Sequence, residues 1–263
     1  MLSQTVSVFI LASLGPASLA LFSRPMALVR TVKTFVVKYA YVFVPTASSL
    51  AGAGEKEELR RLAVKAARYG ILICLPPLLF LMILGGELLD VWMGGRYADS
   101  RLIGLLTAAH FFSIAYAPLF FVLCGLNQHG RAGAVIFVGA AVGVACAYCW
   151  LRLLGGDLAG VALAFGVPWT IVNGVFLPVH ACRRLGLPVR EFLSDAWQKP
   201  LLCCLPFALC LESIHRLQSR SAGQTLIWGI SVGGAVLGFI YWRFVLPNGW
   251  KVRLAARLTP RSA

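Results

Sequence analysis

The sequence predicts an all-α polytopic membrane protein with about eight transmembrane helices. Three observations carry that prediction. The 263 residues are 59% hydrophobic and only 13% charged, about half the charged share of an ordinary soluble domain, and the mean hydropathy is +0.80. Apolar runs close to the ~20 residues that cross a hydrocarbon core recur along the chain, separated by short polar loops. The basic residues gather in those loops rather than in the runs. The net charge of +14 would suggest nucleic acid in a soluble protein. Basic loops beside a membrane account for it here, so no nucleic-acid partner is expected and membrane lipid is.

Taken in order, the first run is 6–22, interrupted by Gly15-Pro16, and the second is 32–50, with Lys38 well inside it. No basic leader precedes the first run, so it does not read as a signal peptide, and the beginning of the chain looks cut. A charged connector follows. In it Leu59, Leu62, Ala66 and Tyr69 recur at helical spacing against Arg60, Arg61, Lys65 and Arg68, which predicts a short amphipathic helix at the membrane surface. Glu57 stands four residues before Arg61, the spacing of a weak supporting ion pair. The third run, 69–89, contains Pro76-Pro77, and Gly85-Gly86 and Gly94-Gly95 read as turn glycines. The fourth to sixth are 102–123, 132–151 and 161–182, the seventh is a short stretch at 200–211 that reaches spanning length only when extended to 197–214, and the eighth is 225–245.

Charge decides the orientation. With eight spans, the connector, the 125–131 loop, the 183–199 loop and the tail with Arg243 share one side and hold 15 of the 24 basic residues. That side is cytoplasmic by the positive-inside rule, which places both chain ends inside. The three domains expected are residues 1–182, a further two-helix segment at 183–245, and a basic cytoplasmic tail at 246–263.

Chemistry-bearing motifs are sparse. There is no H-E-x-x-H, G-x-S-x-G or phosphate-cradling glycine loop, so no catalytic residue, metal or cofactor is implied. The eight cysteines lie in or beside apolar runs, and Cys146 and Cys149, despite C-x-x-C spacing, read as packing residues. Glycine pairs at Gly139/Gly143, Gly229/Gly233 and Gly234/Gly238 read as places where helices approach closely. Polar groups within spans are the sharper signal, because a charge at membrane depth costs at least ~2.5 kcal/mol and tends to face a cavity or a partner. Lys38 either snorkels to the interface or lines a wet cavity, and Lys33 reads as interfacial. His110 is either a proton relay or a hydrogen-bonded structural histidine. Glu212 reads as interfacial, Asn173 as bonded to a neighbouring helix, and Arg96 as a solvated loop residue.

Several stretches resemble a known family. Leu14-Gly-Pro-Ala-Ser-Leu-Ala-Leu-Phe-Ser, Val44-Pro45 before a helix end, and the Glu/Arg connector look like the second half of a polysaccharide flippase. Trp92-Met-Gly-Gly-Arg-Tyr97, Gly125-Leu-Asn-Gln-His-Gly130 and Gly156-Asp-Leu-Ala-Gly-Val-Ala-Leu-Ala164 are similar to its Trp-Leu-Gly-x-x-Tyr, Leu-Asn-Gly-x-Gly and Gly-x-x-Gly-x-Ala-x-Ala stretches. The resemblance covers about residues 10–180 and is to the oligosaccharide flippase branch of the multidrug/oligosaccharidyl-lipid/polysaccharide exporter superfamily. It implies a second six-helix lobe plus the two extra C-terminal helices of a 14-span member. It also implies an undecaprenyl-pyrophosphate-linked oligosaccharide as substrate, in the bacterial inner membrane. The residues named for the pyrophosphate are Lys38 and Lys33, with Arg30 at the mouth, and His110 for ion coupling. Alternating access needs two lobes, so an N-terminal lobe or a second copy of the chain is the expected partner. A small-molecule exporter of the same superfamily would share the fold. An integral-membrane polymerase or glycosyltransferase is the enzymatic rival, but such enzymes normally carry a large extracytoplasmic loop, and the loops on that side are short.

Overall fold

The computed structural model describes residues 2–217 and 221–245, and every regular element among them is helical. The tail at 246–263 lies outside the described residues. α1 (Leu2–Ala40) is broken at Gly15. The residue before a proline resists helix, and Gly15 adopts φ 82, ψ 177, a region open essentially to glycine alone. The chain folds back there. Val6, Phe22 and Met26 line one small cavity, whereas a straight helix would hold Val6 and Phe22 about 24 Å apart.

The break therefore lies within the first expected span, not between it and the second. Residues 16–51 contain no glycine, and Pro25 is carried inside the helix. Arg24 and Arg30, expected in a loop, and Lys33, expected at the interface, consequently sit on the second arm of α1. That arm continues through a brief irregularity into α2 (Phe43–Gly52).

α3 (Lys56–Met93) is a single helix of 38 residues, about 57 Å long. It absorbs both the connector and the third span, so the connector is not the separate short helix expected. The reason is on its inner face, where Leu59, Ala63, Ala66, Ala67, Gly70 and Ile71 are buried without interruption. The expected Glu57–Arg61 pair is replaced by two pairs one residue closer, Glu57–Arg60 at 2.6 Å and Glu58–Arg61 at 2.7 Å. Gly85 and Gly86 are not turn residues either. They lie within α3, where a side chain would run into Ile103 and Ser100 of α4. α3 ends at Gly94, whose φ is 90.

α4 (Ser100–Ala115) starts at Asp99, whose carboxylate accepts the Leu102 N–H at 2.9 Å. It passes through Tyr116 into α5 (Ala117–Gly125), with Pro118 in the first turn. α6 (His129–Leu153) follows, then α7 (Leu158–Ile171), a π-helical turn at Val172–Phe176, and α8 (Leu177–Leu185). Asp157 caps α7 by accepting the Gly160 N–H at 2.9 Å, and the Trp150 ring lies against Gly156 and Gly160. The Gly156–Gly160 stretch is thus a helix cap and a seat for an indole. α9 (Val189–Arg216) is followed by α10 (Ala222–Trp228), a π turn at Gly229–Gly233, α11 (Gly234–Ile240) and a last π turn at Tyr241–Val245.

Among the described residues six helical tracts are long and apolar enough to cross a membrane, against the eight expected. Runs 6–22 and 32–50 fall in one tract, Gln4–Gly52, and run 200–211 falls in α9, which is not among the six. The first half of α9 is too polar, with Arg190, Glu191, Asp195 and Lys199. An aromatic knot secures that half: Trp197 Nε1 donates to the buried Tyr116 hydroxyl at 2.7 Å, and Phe111, Phe112 and Phe192 stack around the pair.

Taken as the continuous tracts α1–α2, α3, α4–α5, α6 and α7–α8, the helices pass back and forth between two ends. The 50–56, 126–128 and 183–186 loops meet around one cavity of about 530 Å³, and Arg60 Nε donates to Leu185 O at 2.8 Å. These three basic loops share one end, as the charge pattern requires. The turn after α3 and the start of α10 share the other, where a side chain at Gly223 would meet Val91. Small residues set the closest approaches: side chains at Gly139 and Gly143 would strike Val172 and Phe165, and at Gly229 and Gly233 would strike Leu84 and Leu211. Gly234 and Gly238 face open space instead. Cys146 and Cys149 are exposed on α6 rather than packed.

Candidate functional site

Met26, Val29, Arg30 and Lys33 recur at three- and four-residue steps on the second arm of α1 and so form one face. Opposite them stand Ile136, Phe137 and Ala140 of α6 and Phe165 and Trp169 of α7, with His110 of α4 between. The cleft enclosed is about 350 Å³, within the ~300–1,000 Å³ of small-molecule sites. His110 is ten residues into α4, about 15 Å along the helix and so roughly half-way across a ~30 Å hydrocarbon core.

The lining has two cations and no carboxylate. Among the described residues, ion pairs are made by Arg60, Arg61, His215 and Arg216, and none by Arg30 or Lys33. The Lys33 ammonium stands 6.0 Å from the centre of the Trp169 ring, a cation–π arrangement that offsets part of its desolvation. Trp169 in turn stacks on Phe165 at 5.9 Å, and Phe165 on His110 at 6.1 Å. His110 is buried, and its Nδ1 lies 3.0 Å from Leu106 O, so Nδ1 donates and the ring is held by its own helix. Such an arrangement can take an anion at membrane depth, with aromatic faces beside it.

The structure brings together three of the four residues singled out above, Arg30, Lys33 and His110. Lys38 is exposed and is not among the lining residues. Five residues from Lys33, it points about 140° around the helix from it. Asn173 bonds its own helix rather than a neighbour, its Nδ2 donating to Trp169 O at 2.8 Å. Glu212 pairs with Arg216 at 2.7 Å, and Arg96 is exposed in its turn. The aromatic wall went unnoticed in the sequence. Its trace is the four-residue step from Phe165 to Trp169, which puts two rings one turn apart on the sixth run.

No family model matches the chain, and no solved structure does. Over 157 residues it is 29% identical to "Uncharacterized membrane protein EpsK" of Bacillus subtilis (strain 168), a stretch that covers 59% of this chain and 31% of that relative. This chain thus matches about a third of the relative's length. The six apolar tracts and this likeness together identify a multi-pass helical membrane protein.

Proposed function

We propose that the chain is one lobe of a flippase that carries a lipid-linked oligosaccharide across the bacterial inner membrane. In this reading residues 1–182 are the transporting lobe, 183–245 an added two-helix segment, and 246–263 a cytoplasmic tail. The supporting observation is the cleft itself. Two cations without carboxylate partners stand at membrane depth, where each costs at least ~2.5 kcal/mol, and a pyrophosphate is the kind of group that repays that cost. Arg30 presents a fork suited to phosphate oxygens, and Lys33 a compact charge one turn further on. The exposed stretch from the end of α1 into its link with α2, with Phe35, Tyr41 and Val42, is where a second lobe would close the cavity. The role is transport rather than catalysis, with both chain ends on the basic, cytoplasmic side.

The test is binding of undecaprenyl pyrophosphate to the purified chain, read by the fluorescence difference between the protein and its Trp169→Phe variant. Arg30→Gln with Lys33→Gln should weaken binding roughly a hundredfold or more, two charge-assisted contacts at ~1.5 kcal/mol or more each, while Lys38→Ala leaves it within about twofold. Equal binding by the double variant would overturn the assignment. Equal binding of an uncharged amphiphile would favour a small-molecule exporter instead.

A further inference from the structure

The connector end carries a second cleft, independent of the one above. It lies between α3, α9 and the last helical turn, encloses about 490 Å³, and is lined by Arg68, Tyr69, Leu72, Lys199 and Ile240 among others. Its polarity is ordered with depth. α3 and α9 run inward from this end, so Arg68, Tyr69 and Lys199 sit at the mouth and Leu72, Cys203 and Pro206 one to two turns deeper. The last helix runs outward, so Ile240 is deep and Phe244 shallow. The walls from α3 and α9 agree, with cations and a tyrosine at the level of the headgroups and apolar side chains below, and the last helix closes the slot with Ile240, Phe244 and Val245.

The walls are fixed against each other. The Tyr241 hydroxyl donates to Leu72 O at 2.5 Å and lies 3.8 Å from Cys204 Sγ, which ties the last helix to both others. Arg68 Nε donates to Asp195 O at 2.6 Å. That contact aims the guanidinium and leaves its outer nitrogens uncommitted among the described hydrogen bonds. Lys199 is exposed. Among the described residues no carboxylate lines the cleft.

We propose that this cleft is a binding site for one anionic phospholipid of the leaflet on the basic side, phosphate against Arg68 and Lys199 and an acyl chain along Leu72 and Ile240. Basic pockets between membrane helices on that side take such headgroups, and here charge above apolar depth matches the two halves of a phospholipid.

Native mass spectrometry of the full 263-residue chain in neutral detergent tests it, with phosphatidylglycerol and phosphatidylcholine of identical chains as probes. Phosphatidylglycerol should be retained preferentially. Arg68→Gln with Lys199→Gln should cut that preference roughly thirtyfold, at ~1 kcal/mol for each cation near the surface. Arg96→Gln with Arg101→Gln, an equal loss of charge at the other end, should leave it unchanged. Ile240→Trp, which fills the slot, should lower retention with both cations in place. If the double variant does not fold, Lys199→Gln alone carries the test with roughly a fivefold loss. Equal retention of the two lipids, equal losses at the two ends, or displacement by soluble glycerol phosphate as effective as by lipid would each overturn the proposal. The first two outcomes would leave general surface charge, and the third a free-phosphate site.

Discussion

α1 and α3 are nearly equal in length, at 39 and 38 residues, and each contains two prolines, yet one is folded back on itself and the other is one continuous helix. Proline alone therefore does not decide. In α3 the ring pair Pro76-Pro77 follows leucine, and the buried face of the helix continues on both sides of it, so neighbouring packing holds the helix through the lost hydrogen bonds. In α1 the residue before Pro16 is glycine, which takes a backbone conformation closed to other residues, and nothing stands within 4 Å of the position its side chain would occupy. The reversal in α1 is thus a matter of backbone freedom. The continuity of α3 is a matter of packing.

That contrast can be broken or sharpened by substitution. The largest effect is expected at Gly15. Gly15→Leu has room for the side chain but forces a strained backbone, about 1–3 kcal/mol, or else straightens the helix. With Phe9→Cys and Tyr148→Cys in a cysteine-free background, cross-linking between positions whose rings now lie 5.2 Å apart should be lost. Persistence of the cross-link together with an unchanged melting temperature would end the backbone argument. In α3 the sensitive position is a glycine of a different kind. A carbon added at Gly86 would overlap the Ser100 hydroxyl, so Gly86→Leu should cost about 1–3 kcal/mol by overpacking. Gly86→Ala should be rescued by Ser100→Gly in thermal melts, a rescue that strain in the backbone would not allow. Smallest of all, Pro77→Ala restores a backbone donor and should move stability by no more than about 0.5 kcal/mol. A larger loss than at Gly15 would reverse the comparison.

The same contrast explains what could be read from the sequence. Composition and loop charge identified the membrane class, and the basic loops do converge on one end, because those properties depend on water and lipid rather than on neighbours. Span count and boundaries were less legible. Whether 23–31 is loop or helix depends on where the chain can reverse, and Gly15 settles that from outside the segment. The connector reads as a short amphipathic helix when only its own pattern is considered, but its apolar side flows without a break into the third run. At the cleft, the sequence points to Lys38 as the costly charge, with Lys33 at the interface and Arg30 at the mouth. Their convergence with His110, and the departure of Lys38 from the group, follows from a five-residue step on a helix whose continuity was not expected. Phe165 and Trp169 looked like ordinary apolar residues until α7 was placed opposite α1.

The unbroken length of α3 has a mechanical consequence. Near one end Arg60 grips the last carbonyl of α8, and near the other Glu87 holds His215 of α9 at 2.6 Å. A continuous helix of about 57 Å can work as a lever. A tilt of roughly 5° about one end displaces the other by about 5 Å, close to one helical turn. Movement at the basic loops can therefore be carried along one continuous helix toward the opposite end, with the Pro76-Pro77 pair the place where it would bend.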